Sequence, residues 1–404
     1  MRWRRNQLAV TAASFVGFTG FTLVMPFLPL YIRQLGVQDD GEVALWTGAT
    51  LGVTPAITAF CAPFWGRLAD RLGHKLMVER ALLSFVMVMG AMAFATRAWH
   101  LFALRAALGF FAGYGALTLS MAARSVPPAR MAQAIGTVQT AHRLGPALGP
   151  VIGGVLAPLV GLRNAFLVAA AFYGLAFCLV LVLYHEPALE PRVDERGASR
   201  VTFGTILAFE NFILLLVVIF GLQFVDRSFG PVLPLYVGQL GFGAERVPVV
   251  SGVLFSVLAF SAAAGNQVAA RLLQTLSARA VIALAGVVGA AGLAVFALEP
   301  PLWGLVASMA LFGGCIGTAM TSAYTAAGTV IPPEVHATGF SVLTSASLAG
   351  LALSPVVSGI VGARSIRAVF GCGVLILIVL ALVVRRLMVD RQRVAAPVPP
   401  IEES

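Results

Sequence analysis

The chain has 404 residues, of which 59% are hydrophobic and only 11% are charged, and its formal net charge is +10. A soluble protein of this length needs far more charged side chains on its surface, so the composition predicts an integral membrane protein. The cations are single arginines between apolar runs, which excludes a nucleic-acid-binding surface. The four cysteines have no paired spacing, so neither a disulfide framework nor a metal site is expected.

Apolar runs long enough to cross a bilayer, which takes about 20 residues, follow one another along the chain. They predict twelve transmembrane helices at 8–31, 44–64, 76–96, 100–122, 132–158, 164–184, 208–231, 247–270, 279–298, 302–325, 337–361 and 367–387. The first run is too long for the core of a signal peptide and is expected to remain as a helix. With both termini in the cytoplasm, 18 Lys and Arg lie inside and six outside, as the positive-inside rule requires of a protein of the cell inner membrane.

The two halves of the sequence repeat each other with a shift of 205 residues. Residues 26–37 match 231–242 at eight of twelve positions, and 126–155 match 331–360 at ten of thirty. Hydrophobicity alone does not align Pro, Tyr, Gln and Gly twice in one register, so the repeat predicts an all-α protein of two pseudosymmetric six-helix bundles. The predicted domains are a bundle over 1–184, a cytoplasmic linker over 185–205, a second bundle over 206–390 and a disordered tail over 391–404.

The stretch "GRLADRLGHK" (66–75) places five ionisable side chains in ten positions and contains Lys75, the sole lysine. Glycines allow a tight turn at the membrane surface, and a carboxylate can dock on the positive N-terminus of a neighbouring helix. A solvated, positively charged loop is the alternative interpretation, although it does not explain the spacing of Gly, Asp and Gly. Within the second half of the sequence, residues 266–275 contain neither an acid nor a glycine.

This stretch resembles the loop between helices 2 and 3 of the major facilitator superfamily, whose parallel six-helix repeats match the two halves found here. The positions in common are Gly66, Leu68, Asp70, Arg71, Gly73 and Lys75. The resemblance implies that Asp70 latches the halves together on the cytoplasmic side, against helix 11, when the transporter is open to the outside. His74 stands where the family usually has arginine.

"GPALGPVIGG" (145–154), on predicted helix 5, resembles a motif of the proton-coupled exporters in that superfamily. Glycines spaced four apart give a smooth face for another helix, and prolines bend the helix that carries them. The matching residues are Gly145, Pro146, Gly149, Pro150, Gly153 and Gly154. Gly20, Pro26 and Pro29 of helix 1 and "LRAALGFFAG" (104–113) of helix 4 resemble other patterns of the twelve-helix drug/proton antiporter branch, and two longer stretches resemble the MdtG-like multidrug exporters.

Ionisable residues inside the predicted spans are candidates for function, because each costs about 3 kcal/mol at mid-membrane. Asp226 is the one acid expected deep in a span, ten residues before Tyr236. Our hypothesis is that it carries the proton, and a permanent structural ion pair is the alternative. Arg227 is rotated about 100° from Asp226 and is not expected to share its face, whereas Gln223 is.

Arg105 and Arg143 could each neutralise Asp226 or bind an anionic group of a substrate, and the family resemblance favours proton coupling for Arg105. His142 could titrate or simply pack. Since the interior is net positive, anionic or zwitterionic amphiphiles are favoured over lipophilic cations. Phe21 and Phe224 are expected among the apolar residues that line the cavity, together with Arg143 and Gln223.

These patterns predict a monomeric, proton-coupled secondary transporter that exports small amphipathic compounds by alternating access in the lipid bilayer. The sequence holds no phosphate-binding loop, metal-ligand cluster or nucleophile–base arrangement, so neither a cofactor nor an enzyme is expected. Three alternatives stay open. They are an exporter or flippase of an endogenous lipid or metabolite, an importer of an organic anion, and a non-transporting membrane receptor or scaffold.

Overall fold

The computed structural model describes residues 2–127, 130–186, 209–331 and 336–389. Most of the predicted linker and the whole predicted tail lie outside these ranges, so both stay predictions. Within them are fifteen α-helices: α1 Arg2–Leu23, α2 Leu28–Gln34, α3 Asp40–Leu72, α4 His74–Met92, α5 Ala98–Phe111, α6 Tyr114–Arg124, α7 Met131–Val160, α8 Leu162–Leu183, α9 Phe212–Arg227, α10 Leu233–Gln239, α11 Val247–Leu272, α12 Ala278–Ala294, α13 Leu302–Val330, α14 His336–Arg364 and α15 Ile366–Leu387.

Three of the twelve spans are broken helices. Span 1 is α1 and α2 joined by a short 3₁₀ turn at Met25–Phe27, span 4 is α5 and α6, and span 7 is α9 and α10. Within the part of the chain that the structure describes, ten segments are long and apolar enough to cross a membrane by themselves. The other two spans are α4, which opens with several ionisable side chains, and α9, which has only 16 residues before its chain continues into α10.

Local sequence signals explain where several helices begin and end. The carboxylate of Asp39 caps α3 by accepting a hydrogen bond from the backbone N–H of Glu42 at 2.9 Å. Gly73, with a φ of 99°, is the single residue between α3 and α4, and Gly161, with a φ of 85°, separates α7 from α8. Such positive φ values are accessible to glycine without steric cost, so these turns need the residues found there.

Two pairs of hydrogen bonds show that the halves are built alike. Asn6 exchanges two hydrogen bonds with the backbone of His185, and Asn211, 205 positions later, exchanges two with Val389. The hydroxyl of Tyr31 donates to the carbonyl of Met92 at 2.6 Å, and that of Tyr236 donates to the carbonyl of Phe296 at 2.5 Å. The predicted pseudosymmetry of the two bundles is therefore confirmed.

The helices define two faces of the molecule. We call the face where α1 begins, α3 meets α4 and α15 ends the terminal face, and the face of the segments 35–39, 161 and 240–246 the distal face. The two most extensive contacts between the bundles are α3 with α14 and α7 with α11.

The recorded close approaches between the bundles cluster in the distal halves of these helices. Side chains added at Gly48 and Gly52 of α3 would meet the backbone of α14 between 352 and 359, and one at Gly252 of α11 would meet Pro150 and Gly154 of α7. Small residues let backbones pack this closely in a membrane. We call these contacts the distal seam.

Toward the terminal face the same helices present exposed polar residues. Thr137 and Thr140 of α7 and Thr344 and Ser345 of α14 are exposed, and each hydroxyl donates to the carbonyl four residues earlier. These hydroxyls lie on the halves of α7 and α14 that are outside the distal seam. The closest recorded contacts between the bundles therefore lie toward the distal face.

Candidate functional site

Two adjacent chambers lie between the bundles. The inner chamber, about 260 Å³, reaches toward the distal seam and is lined by residues that include Met25, Pro150 and Phe255. The outer chamber, about 490 Å³, lies nearer the terminal face and is lined by residues that include Met320 and Tyr324. Both are lined by Arg143, Asp226, Ala262 and Asn266. The structure therefore brings Asp226 and Arg143, from opposite halves of the sequence, to one cavity.

Asp226 forms an ion pair with its neighbour along the chain. Its Oδ2 lies 3.0 Å from Nε of Arg227, and the Asp226 side chain is 16% exposed. The expectation that these two residues do not share a face was wrong. α9 ends at Arg227, so the long side chain bends back at the helix terminus. The Nε–H bond of Arg227 does not point at Oδ2 of Asp226, and Nε makes no hydrogen bond within the described residues.

Arg143 reaches across the cavity to Asn266 of α11. The amide nitrogen of Asn266 faces three acceptors, the carbonyls of Ala262 and Gly317 and the hydroxyl of Thr321, so its oxygen faces Nη1 of Arg143 at 2.5 Å. This contact joins the two bundles through side chains, at the level where the chambers meet.

Gln223 and His142 also contribute to the cavity wall. Gln223 lines the outer chamber, and its Oε1 accepts a hydrogen bond from Ser347 of α14 at 3.3 Å. His142 lines the inner chamber and packs on Phe18, and its Nε2 lies 3.1 Å from the hydroxyl of Thr118. That hydroxyl already donates to a backbone carbonyl, so His142 donates to it from Nε2.

Arg105 lies inside the first bundle. It is 2% exposed and leaves Nε and Nη2 without hydrogen-bond partners within the described ranges. It is not among the residues that line either chamber. The structure therefore separates Arg105 from Asp226, and Arg143 is the arginine of the predicted pair that reaches the cavity.

The predicted aromatic lining differs from the observed one. Neither Phe21 nor Phe224 is among the lining residues, and Phe224 packs against Phe220 instead. On a helix the next residue is rotated by about 100°, so Phe224 leaves the face that carries Gln223. Met25, Phe255 and Leu258 supply the apolar surface.

The helix 5 motif faces two neighbours. Gly145, Gly149 and Gly153 lie against the backbone of α1 between Phe15 and Leu23, and Gly154 lies against Pro248 of α11. Pro146 and Pro150 line the inner chamber, within one uninterrupted helix. The smooth face predicted for this motif is the surface on which span 1 packs.

The stretch 66–75 is mostly helical. Gly66 to Leu72 form the last two turns of α3, and only Gly73 makes the turn that was expected of both glycines. The Asp70 carboxylate lies 3.8 Å from Nε2 of the buried His74, while Arg71 is exposed and Lys75 donates to the carbonyl of Leu181. The latch against α14 in an outward-open state stays a prediction.

Glu186, which the sequence did not single out, caps the beginning of α4. Its carboxylate accepts hydrogen bonds from the backbone N–H groups of His74 at 2.6 Å and Lys75 at 3.3 Å. Arg124 Nη1 lies 3.1 Å from Nδ1 of His74. The carboxylate that docks on a helix N-terminus here is therefore Glu186, at the start of the interbundle segment.

Comparison with known proteins agrees with this architecture. The family model described as Major Facilitator Superfamily matches residues 10–298 and 248–404. Multidrug resistance protein MdtG of Proteus mirabilis is 35% identical over 63% of this chain and 63% of its own length. A homologue of the multi-drug resistance efflux pump PmrA from Lactococcus lactis is 34% identical over 67% of each chain. The first alignment thus spans less than two thirds of that relative.

Solved structures share the fold at low identity. The nucleoside transporter NupG has a TM-score of 0.79 at 15% identity and covers 94% of this chain and 98% of its own. A bacterial homologue of the human lysosomal transporter Spinster, inward-facing and unoccupied, has a TM-score of 0.76 at 16% identity over 95% and 96%. The predicted fold and family resemblance are confirmed: this chain belongs to the major facilitator superfamily.

Proposed function

We propose that this protein exports small amphipathic compounds from the cytoplasm in exchange for protons, by alternating access between its two bundles. The observation that carries the proposal is the presence of Asp226 and Arg143, one from each bundle, on one cavity that has the close contacts of the distal seam on one side. The positive-inside rule assigns the terminal face to the cytoplasm of the inner membrane. The relatives named for multidrug resistance support a drug-like substrate class.

Asp226 has the surroundings that a proton carrier needs. Ionised, it is paired with Arg227, and its position on the cavity gives it access to water. When the cavity closes at one face and opens at the other, that access changes sides, so the same carboxyl can take a proton from one aqueous phase and release it to the other. One proton falling through about 150 mV releases about 3.5 kcal/mol, enough for a gradient of a few hundred-fold.

The charge of the cavity favours substrates with an anionic group. Arg143 and Arg227 face one carboxylate, that of Asp226, among the described lining residues. A lipophilic cation would therefore be placed beside excess positive charge. Import of an organic anion is the second candidate that this charge supports, and the direction of transport separates it from export.

The test uses purified protein in liposomes with an imposed pH gradient. The acidic solution is on the side of the distal face. We expect an amphipathic anionic dye to move toward the acidic side. We expect Asp226→Asn to abolish the response to the pH gradient but to retain exchange of dye down its own concentration gradient. Gradient-driven accumulation by Asp226→Asn at the wild-type level would remove Asp226 from the mechanism, and movement toward the alkaline side would replace export by import.

A further inference from the structure

Asn266 is held in one orientation by its own bundle. Its amide nitrogen lies 3.2 Å from the carbonyl of Ala262, 3.0 Å from that of Gly317 and 2.9 Å from the hydroxyl of Thr321. Turning the amide over would place its oxygen against those carbonyl acceptors. The oxygen is therefore fixed toward the cavity, where it accepts from Arg143.

Asn266 is a neutral hydrogen-bond partner for Arg143. The one carboxylate on the cavity among the described residues, Asp226, is paired with Arg227. The guanidinium of Arg143 is thus positioned by a hydrogen bond, but its charge is not balanced. A hydrogen bond between an arginine and a carboxylate, sulfonate or phosphate is stronger than one to an amide, and it can be bidentate.

The contact also spans the two bundles. Arg143 lies on α7, seven residues before Pro150 of the distal seam, and Asn266 lies on α11, fourteen residues after Gly252. It joins the two helices on the terminal side of the seam. We call this hydrogen bond the clasp.

We propose that the amide oxygen of Asn266 occupies the place of a substrate's anionic group on Arg143, and that such a group releases the clasp by displacing it. The inference rests on the proposed function in one respect, since it assumes a substrate that carries an anionic group. Binding of the anion and loss of a contact between the bundles are then one event. A compound without negative charge cannot compete for Arg143 and leaves the clasp closed.

The proposal makes Asn266 a competitor of the substrate, so its removal strengthens binding of anions. In Asn266→Ala, the groups that lose the amide as a partner are two backbone carbonyls within helices and one hydroxyl. The stability of the surrounding fold is therefore expected to change little. Asn266→Asp places a carboxylate beside Arg143 and balances its charge. The two substitutions therefore shift anion affinity in opposite directions.

The experiment measures two fluorescent probes with the same ring system on full-length protein in nanodiscs, with empty nanodiscs as the blank. Anilinonaphthalene sulfonate carries the anionic group, and N-phenylnaphthylamine lacks it. We expect Asn266→Ala to bind the sulfonate about tenfold more tightly and Asn266→Asp about tenfold more weakly, with unchanged affinity for the amine. Gln267→Ala, at the next and exposed position of α11, is the matched control and is expected to change neither affinity.

Unchanged sulfonate affinity in both Asn266 variants would overturn the proposal, and so would an equal shift for the two probes. Binding of the uncharged amine also reports whether each variant is folded. The measurement needs no proton gradient, which separates the two proposals. If the probe affinities shift as expected but no gradient-driven transport is found, the clasp proposal stands and the exporter proposal fails. If transport is found without the shifts, the exporter proposal stands and the clasp proposal fails.

Discussion

At the scale of single residues, the glycines of α7 show how closely span 1 packs. Hypothetical Cβ atoms at Gly145 and Gly149 would lie 2.9 Å and 2.6 Å from backbone carbonyl oxygens of α1, and one at Gly153 would overlap the carbonyl of Leu23. Backbone atoms cannot rotate away as side chains do. The spacing of these glycines is therefore a requirement of the contact between α1 and α7.

Gly153→Ala is expected to destabilise the protein by about 1–3 kcal/mol, because the two helices must move apart to admit a methyl group. Gly136→Ala, on the same helix with open space around its Cα, is the control and is expected to have no such cost. The thermal unfolding of each variant in detergent measures the difference. Equal unfolding temperatures for the two variants would show that α1 does not pack this closely.

At the scale of elements, the break in span 4 has a dedicated set of partners. α5 ends at Phe111, and Gly113, with a φ of 122°, precedes α6. The break frees carbonyl groups at the end of α5, and two of them are satisfied by other spans. Trp65 Nε1 donates to the carbonyl of Phe110 at 2.6 Å, and Arg80 Nη2 donates to that of Phe111 at 3.0 Å.

Arg80 and Trp65 also support each other. The guanidinium carbon of Arg80 lies 3.5 Å from the centre of the Trp65 ring, a cation–π contact. A cation at a helix C-terminus interacts favourably with the helix dipole. This arrangement accounts for an arginine within the apolar third span.

Trp65→Phe removes the indole donor and keeps an aromatic ring, so we expect a loss of about 1 kcal/mol for one hydrogen bond. Trp303→Phe, at a position that is 81% exposed, is the control. Hydrogen exchange of the amides in 112–117 would reveal faster opening of the break in the first variant alone. Identical exchange in both would mean that the indole does not stabilise the end of α5.

Particular residues show how far the sequence could predict the structure. The internal repeat predicted two similar bundles, and the four-residue spacing of Gly145, Gly149 and Gly153 predicted a helix-packing face. Asn266 could not be predicted, since its amide is oriented by Gly317 and Thr321 of another helix. The sequence placed Arg105 inside a span but did not predict which way its side chain points. An error of a few residues in a helix boundary is enough to leave that orientation undetermined.

At the scale of the whole molecule, the distal seam and the cavity lie at different depths between the bundles. The close glycine contacts of α3 with α14 and of α7 with α11 lie on the distal side of the cavity. Asp226 and Arg143 lie between this seam and the terminal face. If the bundles pivot, the seam opens as the terminal halves of the same helices close, and Asp226 is then exposed to the other side.

The measurement that tests the account most directly is the distance between the bundles as a function of pH. Spin labels on a background without native cysteines would be placed at two pairs of exposed positions, Gln38→Cys with Glu245→Cys at the distal face and Gln133→Cys with Gln274→Cys at the terminal face. The account predicts that titration shifts the two distance distributions in opposite directions, and that Asp226→Asn makes both insensitive to pH. Persistence of the same pH dependence in Asp226→Asn would contradict it.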